Sequence, residues 1–287
     1  MEYGLGKIEN SYTLKKEQLE SKLDLIEVLV LGSSQAARGI DPFCFTMKGY
    51  NVANISQSLY YDTRITLTYL DKMPKLKYVI INISYFSLGY QLKDCSELWR
   101  DYFYSQCWNI DYYELEKFDI KRYSKIFLYT PKTSLSFLNK GFKVDLVSGY
   151  TNTGYLNENQ LDNQIKISDS LGKERVKIHN KCYNEKRVVE NKKDLEFLLL
   201  SLNKRNIKTI FITPPVLPTY YKYISTARFK KDIKLINLLC TGYKASYYNY
   251  FTDTTFTKND FKDNDHLNYE GAQKFSKLIN TEILEKK

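Results

Sequence analysis

The segment Ile26-Glu-Val-Leu-Val-Leu31-Gly-Ser-Ser-Gln-Ala-Ala-Arg38 carries three structural signals in succession. Its first six residues are a β-branched and Leu run of strand length, Gly32 with two small hydroxyls interrupts the run, and Gln35-Ala-Ala-Arg38 is helix-prone. A buried strand therefore runs into a tight turn and a helix. Downstream, Tyr50–Ile55 reads as a second short strand, Tyr60–Met73 as a helix and Leu76–Ile83 as a third strand, which is the alternation of a parallel sheet. Farther on, Arg187–Arg205 predicts a helix, Ile207–Thr213 a buried strand stopped by Pro214-Pro215, and Thr226–Leu239 another helix. Ser246–Tyr250 is a last strand, and Gly271–Glu285 closes the chain as a helix.

Upstream of this pattern, Leu5–Lys22 has loosely helical spacing, so residues 1–24 read as an amphipathic lead-in helix peripheral to the core, ahead of a single α/β domain at 25–287. Between residue 91 and about 185 the alternation lapses into Tyr-rich mixed sequence. That stretch is too long for a plain loop and predicts an insertion with helices of its own, one of them at Tyr113–Tyr129, covering the sheet or its ligand end.

With 287 residues, 43% hydrophobic and 26% charged, the chain is long enough for a sizeable core and too apolar to be disordered. Lys and Arg number 43 against 33 Asp and Glu, a net +10 that suits an anionic partner but is met as well by a solvated basic surface. The longest apolar runs, such as Val28-Leu-Val-Leu31 and Phe197-Leu-Leu-Leu200, fall far short of the ~18–20 residues of a membrane span, and the Lys- and Glu-rich start offers no signal peptide. A cytoplasmic protein, associated at most peripherally with a membrane, is the expectation. Five scattered cysteines with no C-x-x-C pair predict neither a disulfide framework nor a zinc site. The 26 tyrosines interleaved with lysine suit sugar or single-stranded nucleic acid, but no nucleic-acid motif accompanies them, so a nucleic-acid partner is not expected.

Two places can carry chemistry. The turn after the first strand puts Ser34 near a helix N-terminus, where free N–H groups and the helix dipole favour negative charge, although a plain N-cap role for Ser33 or Ser34 explains the same residues. Neither G-x-G-x-x-G nor a Walker loop is present, so a nucleotide cofactor is not implied. The second place is Asp263-Asn-Asp-His266, just ahead of the last helix. An Asp three residues before a His can accept from the imidazole Nδ1–H and leave Nε2 to take a proton from a serine, which makes His266 the candidate general base. Metal ligation or loop capping by Asp263 and Asp265 is the alternative there. The other histidine, His179, has no such companion and reads as a surface residue.

Taken together, Gly32-Ser-Ser34 after the first strand and Asp263-x-x-His266 before the last helix resemble the SGNH/GDSL hydrolase superfamily. The stretch from Leu31 to Pro42 looks like its branch that acylates or deacylates cell-surface polysaccharides. The resemblance covers residues 25–90 and 187–285 and implies a three-layer α/β/α sandwich of flavodoxin-like type with a mostly parallel sheet of about five strands, carrying the largely helical insertion. It implies that Ser34 is the nucleophile, His266 the base and Asp263 its orienting acid, and that Ser34 contributes its N–H to an oxyanion hole. In the second block the family's glycine is replaced within Asn54-Ile-Ser-Gln57, so Ser56 or Gln57 would supply a second N–H. In the third block the family's Asn donor has Phe86 at the corresponding position, so Asn54, Asn82 or Ser84 would have to substitute. Loss of one donor costs ~10²–10³ in rate. Arg38, four residues after Ser34, together with Asn54 and Tyr85, is the candidate substrate-binding set.

The resulting expectation is a serine-dependent carbohydrate O-acyltransferase or esterase, with acetyl as the expected acyl group, acting on a bacterial surface glycan or its precursor. No resident cofactor or metal is implied, while acetyl-CoA or another acyl donor would be a substrate of the transferase. The missing third-block Asn and the many tyrosines fit a rival reading, a non-catalytic glycan-binding or assembly protein with an eroded site, in contact with cell-envelope machinery.

Overall fold

A computed structural model of the chain describes residues 1–113, 118–157 and 167–286. Five strands, β1 (Val28–Leu31), β2 (Gly49–Asn51), β3 (Tyr78–Asn82), β4 (Lys208–Thr213) and β5 (Ser246–Asn249), form one sheet in the order β2-β1-β3-β4-β5. Every pairing is parallel, with Leu29 opposite both Tyr50 and Val79, and Ile81 opposite Phe211. The helices are α1 (Glu2–Gly6), α2 (Ser11–Glu20), α3 (Ser34–Gly39), α4 (Leu59–Tyr69), α5 (Trp99–Phe103), α6 (Pro131–Asn139), α7 (Asp169–Lys181), α8 (Glu185–Asn203), α9 (Pro218–Tyr221), α10 (Thr226–Tyr243) and α11 (Tyr269–Ile279).

The central strands β1, β3 and β4 carry apolar runs, Val28–Leu31, Val79–Ile81 and Ile210–Ile212, because helices cover both faces, whereas the edge strands β2 and β5 are more polar. Strand side chains alternate, so Leu29, Leu31, Val79, Ile81 and Phe211 pack with Ile65 of α4, the Leu195–Leu202 side of α8 and Ile236 of α10. Val28, Val30, Ile80, Ile210 and Ile212 face the other way, onto Ala36 and Ala37 of α3 and onto Ala272, Phe275 and Ile279 of α11. This is the three-layer α/β/α sandwich expected from the sequence. The small alanines of α3 let that helix lie close against α11, which fixes the turn after β1 against the segment leading into α11.

Several local expectations are corrected. The lead-in is not peripheral: α2 buries Tyr12, Lys15 and Leu19, and Tyr12 and Leu19 belong to the main core. Its loose periodicity concealed this because one of the inward positions is a lysine. Lys15 Nζ donates to the backbone carbonyls of Asn51 (2.9 Å) and Gly154 (2.6 Å), with no carboxylate among the described residues in its shell, and burial pulls its pKa down to about 7. The helix expected at 113–129 is replaced, within the described residues, by short 3₁₀ turns at Ile120–Arg122 and Lys125–Leu128. There Asp119 and Ser124 each accept from a backbone N–H two residues ahead and start a new turn. A disulfide is present after all, between Cys95 and Cys182. The two are 87 residues apart, a separation at which spacing carries no pairing signal, and the antiparallel bridge between Tyr90 and Tyr183 brings their neighbourhoods together.

Candidate active site

Open α/β sheets gather ligands at the carboxyl ends of the strands, where the chain leaves a central strand to opposite sides. Here that point is β1, which is flanked by β2 and β3. Gly32 follows β1 with φ +137, and a Cβ there would meet Asn82 Cβ at 2.6 Å, so only glycine permits this turn. Ser33 takes the N-cap position of α3 without making a side-chain cap bond, and its Oγ lies 3.5 Å from Ser84 Oγ. Ser34, first residue of α3, has its Oγ 2.8 Å from His266 Nε2.

His266 is buried on the loop ahead of α11, whose cap is Asn268 accepting from Gly271 N–H at 2.9 Å. Asp263 folds back on this loop. Its Oδ1 accepts the backbone N–H groups of Asp265 (3.0 Å) and His266 (2.8 Å), and its two oxygens lie 3.0 and 2.9 Å from His266 Nδ1. Burial works to raise the Asp263 pKa, but the imidazole, these backbone donors and the Arg175 guanidinium hold the carboxyl well below the usual carboxylate range. An ionised Asp263 keeps the imidazole proton on Nδ1, so the Nε2 lone pair faces the Ser34 hydroxyl. That is the arrangement in which a serine becomes nucleophilic.

Beside Ser34 opens a cleft of about 120 Å³ lined by Ser56, Phe86, Tyr90, Arg175, His179 and the disulfide. Ser56 has φ +57, the left-handed conformation that favours glycine. The backbone N–H groups of Ser34 and Ser56 have no hydrogen-bond partner among the described residues.

The other sequence candidates lie elsewhere. Gln57 N–H closes a turn onto Asn54 O at 3.1 Å, and its side chain points inward to Asp62 and Tyr104. Asn82 is packed behind Gly32, with its Oδ1 3.2 Å from Ser84 Oγ. Asn54 faces Ser11 of α2 and Tyr150. The Tyr85 hydroxyl joins Asn180 to Ser225 N–H. Arg38 is half-buried on the last turn of α3, away from the cleft lining.

Three residues that the sequence reading did not single out, or misplaced, belong to the site. Gln35 Nε2 donates to Asp265 O (3.0 Å) and its Oε1 accepts from Ser84 Oγ (2.6 Å), tying the turn that carries Ser34 to the histidine loop and to the loop after β3. Arg175 lines the cleft while its Nε donates to Asp265 Oδ1 at 3.1 Å. His179 is buried, not on the surface: its Nδ1 is 2.6 Å from the Tyr220 hydroxyl and its ring lies on Phe86 at 4.1 Å, and burial drives its pKa well below the ordinary histidine value. Arg175 and His179 share the inner face of α7, one turn apart, which is the signal that could have found them. Asp263, Asp265 and His266 offer three donor atoms within 4.8 Å of one another. Two of those groups already face each other, and the third holds a guanidinium that a cation would have to displace, so the donor set is a poor metal site.

The site is therefore that of an α/β sandwich protein with a serine, a histidine and an aspartate in hydrogen-bonded sequence at the sheet's carboxyl edge. Residues 148–281, just under half of the chain, match the family model described as DltD protein. The match takes in Asp263 and His266 and stops short of Ser34. No curated protein matches the chain.

Proposed function

We propose that this protein is a serine-dependent acyl-transfer enzyme of the cell envelope, acting on a glycopolymer. The observation that carries the reading is the 2.8 Å contact between Ser34 Oγ and His266 Nε2, with Asp263 on the opposite ring nitrogen. In this mechanism Ser34 Oγ attacks an ester or thioester carbonyl as His266 takes its proton, and the oxyanion is held by the N–H groups of Ser34 and Ser56. His266 then returns the proton to the leaving group, and an acyl-Ser34 ester remains. An acceptor hydroxyl, deprotonated by the same Nε2, attacks that ester and regenerates Ser34. No step calls on a resident cofactor.

The DltD family is involved in D-alanylation of teichoic acid, a cell-envelope glycopolymer modification. On that similarity the acyl group would be D-alanyl rather than the acetyl expected from sequence, and the acceptor a teichoic-acid hydroxyl. The fold supplies no helix long and apolar enough to cross a membrane among the described residues, so envelope contact would be peripheral for this part of the chain. Incubation with a fluorophosphonate tests the reading. Wild-type protein should gain one phosphonyl group on Ser34 by mass spectrometry, Ser34→Ala should gain none, and Ser33→Ala should label normally. A wild-type protein that stays unlabelled while folded would favour the non-catalytic binding role.

A further inference from the structure

A buried carboxylate binds residues next to both Ser34 and Ser56, and the mechanism so far gives it no part. Asp62 sits in the first turn of α4 and is buried, with 1% of its surface exposed. Its Oδ1 accepts two hydrogen bonds, from the backbone N–H of Gly32 at 2.9 Å and from the side-chain Nε2 of Gln57 at 2.6 Å. Gly32 belongs to the turn that presents Ser34, and Gln57 directly follows Ser56. One carboxylate oxygen thus clamps the two loops that carry Ser34 and Ser56, both of which line the cleft.

Gln57 is itself held at its other end, where Oε1 accepts from the Tyr104 hydroxyl at 2.9 Å. The Tyr104 ring stacks on Tyr61 at 3.6 Å, and Tyr61 precedes Asp62 on α4. The loop carrying Ser56 is therefore braced between α4 and the π-helical turn Tyr104–Trp108 of the intervening segment. Ser56 needs such bracing, because a left-handed φ in a residue with a Cβ is held only where its surroundings impose it.

We infer that Asp62 is a positioning residue for the oxyanion hole: by accepting from Gly32 and Gln57 it sets the distance between the Ser34 and Ser56 N–H groups. The inference rests on the acyl-transfer reading above. A buried carboxylate with one oxygen accepting two hydrogen bonds and the other without a partner among the described residues is costly to keep, as unpaired buried polar atoms are. Within the proposed mechanism, the geometry it imposes on the two loops is the return for that cost. Displacing an oxyanion donor by about 1 Å is enough to cost on the order of 10²-fold in rate.

The test is the rate at which a fluorophosphonate labels Ser34, since its phosphoryl oxygen occupies the oxyanion position, with thermal melting followed in parallel. Asp62→Ala should slow labelling by roughly 10- to 100-fold. Asp62→Asn keeps an oxygen that can accept from both donors and should stay within about threefold of wild type. Equal labelling by wild type and Asp62→Ala would overturn the inference, and so would equal slowing in Asp62→Ala and Asp62→Asn, because the charge rather than the acceptor geometry would then matter. If Asp62→Ala does not fold, Gln57→Leu decides: slowed labelling supports the clamp, unchanged labelling refutes it. A wild-type protein that does not label at all removes the acyl-transfer reading and this inference with it.

Discussion

Replacing Asp263 by Asn isolates the electronic part of the histidine loop from its geometry. The two backbone N–H groups of Asp265 and His266 converge on Asp263 Oδ1 at 3.0 and 2.8 Å, so an asparagine must place its carbonyl oxygen there and its amide nitrogen toward His266 Nδ1. The flipped amide would set an N–H₂ against two N–H donors and is excluded. Facing an amide donor, Nδ1 becomes the acceptor and the ring proton moves to Nε2, which then points a proton at Ser34 Oγ across 2.8 Å. The base loses its lone pair while the loop keeps its shape. An equivalent change in a Ser-His-Asp triad costs ~10⁴ in kcat, so a loss of ~10³–10⁴ is expected here, or about 4–5.5 kcal/mol of transition-state stabilisation. Aryl acetate turnover and fluorophosphonate labelling of wild type and Asp263→Asn at pH 7–8, with near-UV circular dichroism to verify the fold, measure it. Activity within about tenfold of wild type in a folded Asp263→Asn protein would refute the role given to Asp263.

Two further outcomes bear on the scaffold. Lys15 has a folded-state pKa near 7 against about 10.4 for an unfolded lysine, so between those values the unfolded chain binds the extra proton and stability rises with pH. Denaturant unfolding should show a gain of about 2 kcal/mol from pH 7 to 9 that Lys15→Met abolishes, and an unchanged pH slope in Lys15→Met would show that Lys15 is not the group responsible. Gly271 lies where a Cβ would fall 2.0 Å from the carbonyl oxygen of Asp260, a backbone atom that cannot swing aside. Gly271→Ala should therefore cost about 1–3 kcal/mol and displace the loop bearing Asp263 and His266, read as a lowered melting temperature with slower labelling; a variant as stable and as reactive as wild type would contradict that close approach.

The sheet was legible because its central parallel strands, covered on both faces, carry apolar runs that set the alternation into which the more polar edge strands fall, and all five expected strands are present with ends that differ by a few residues. The pairing of Ser34 with His266 could be anticipated because each stands next to a strong local signal, a strand-ending glycine turn and a helix start. What escaped were residues whose meaning lies in distant partners. Lys15 looks like a surface lysine until Asn51 and Gly154 close over it, and His179 looks solitary until Tyr220 and Phe86 enclose it. Arg175 lay hidden in a segment where no strand supplied a frame, and Cys95 gives no hint of Cys182. Ser56 shows the opposite case: its left-handed backbone marks a glycine-like position that the residue type alone concealed.

The close packing of α3 against α11 has a consequence for the order in which the site is assembled. Ser34 lies on the first strand's turn, yet His266 and the apolar face of α11 that covers Val28 and Val30 come from the end of the chain. A nascent polypeptide emerging from the ribosome would expose Ser34 early, long before its histidine partner and with one side of the sheet still bare. The contact between Ser34 and His266 and the covering of that face both await the segment running into α11, so a product cut short before it would lack the pairing and be prone to degradation.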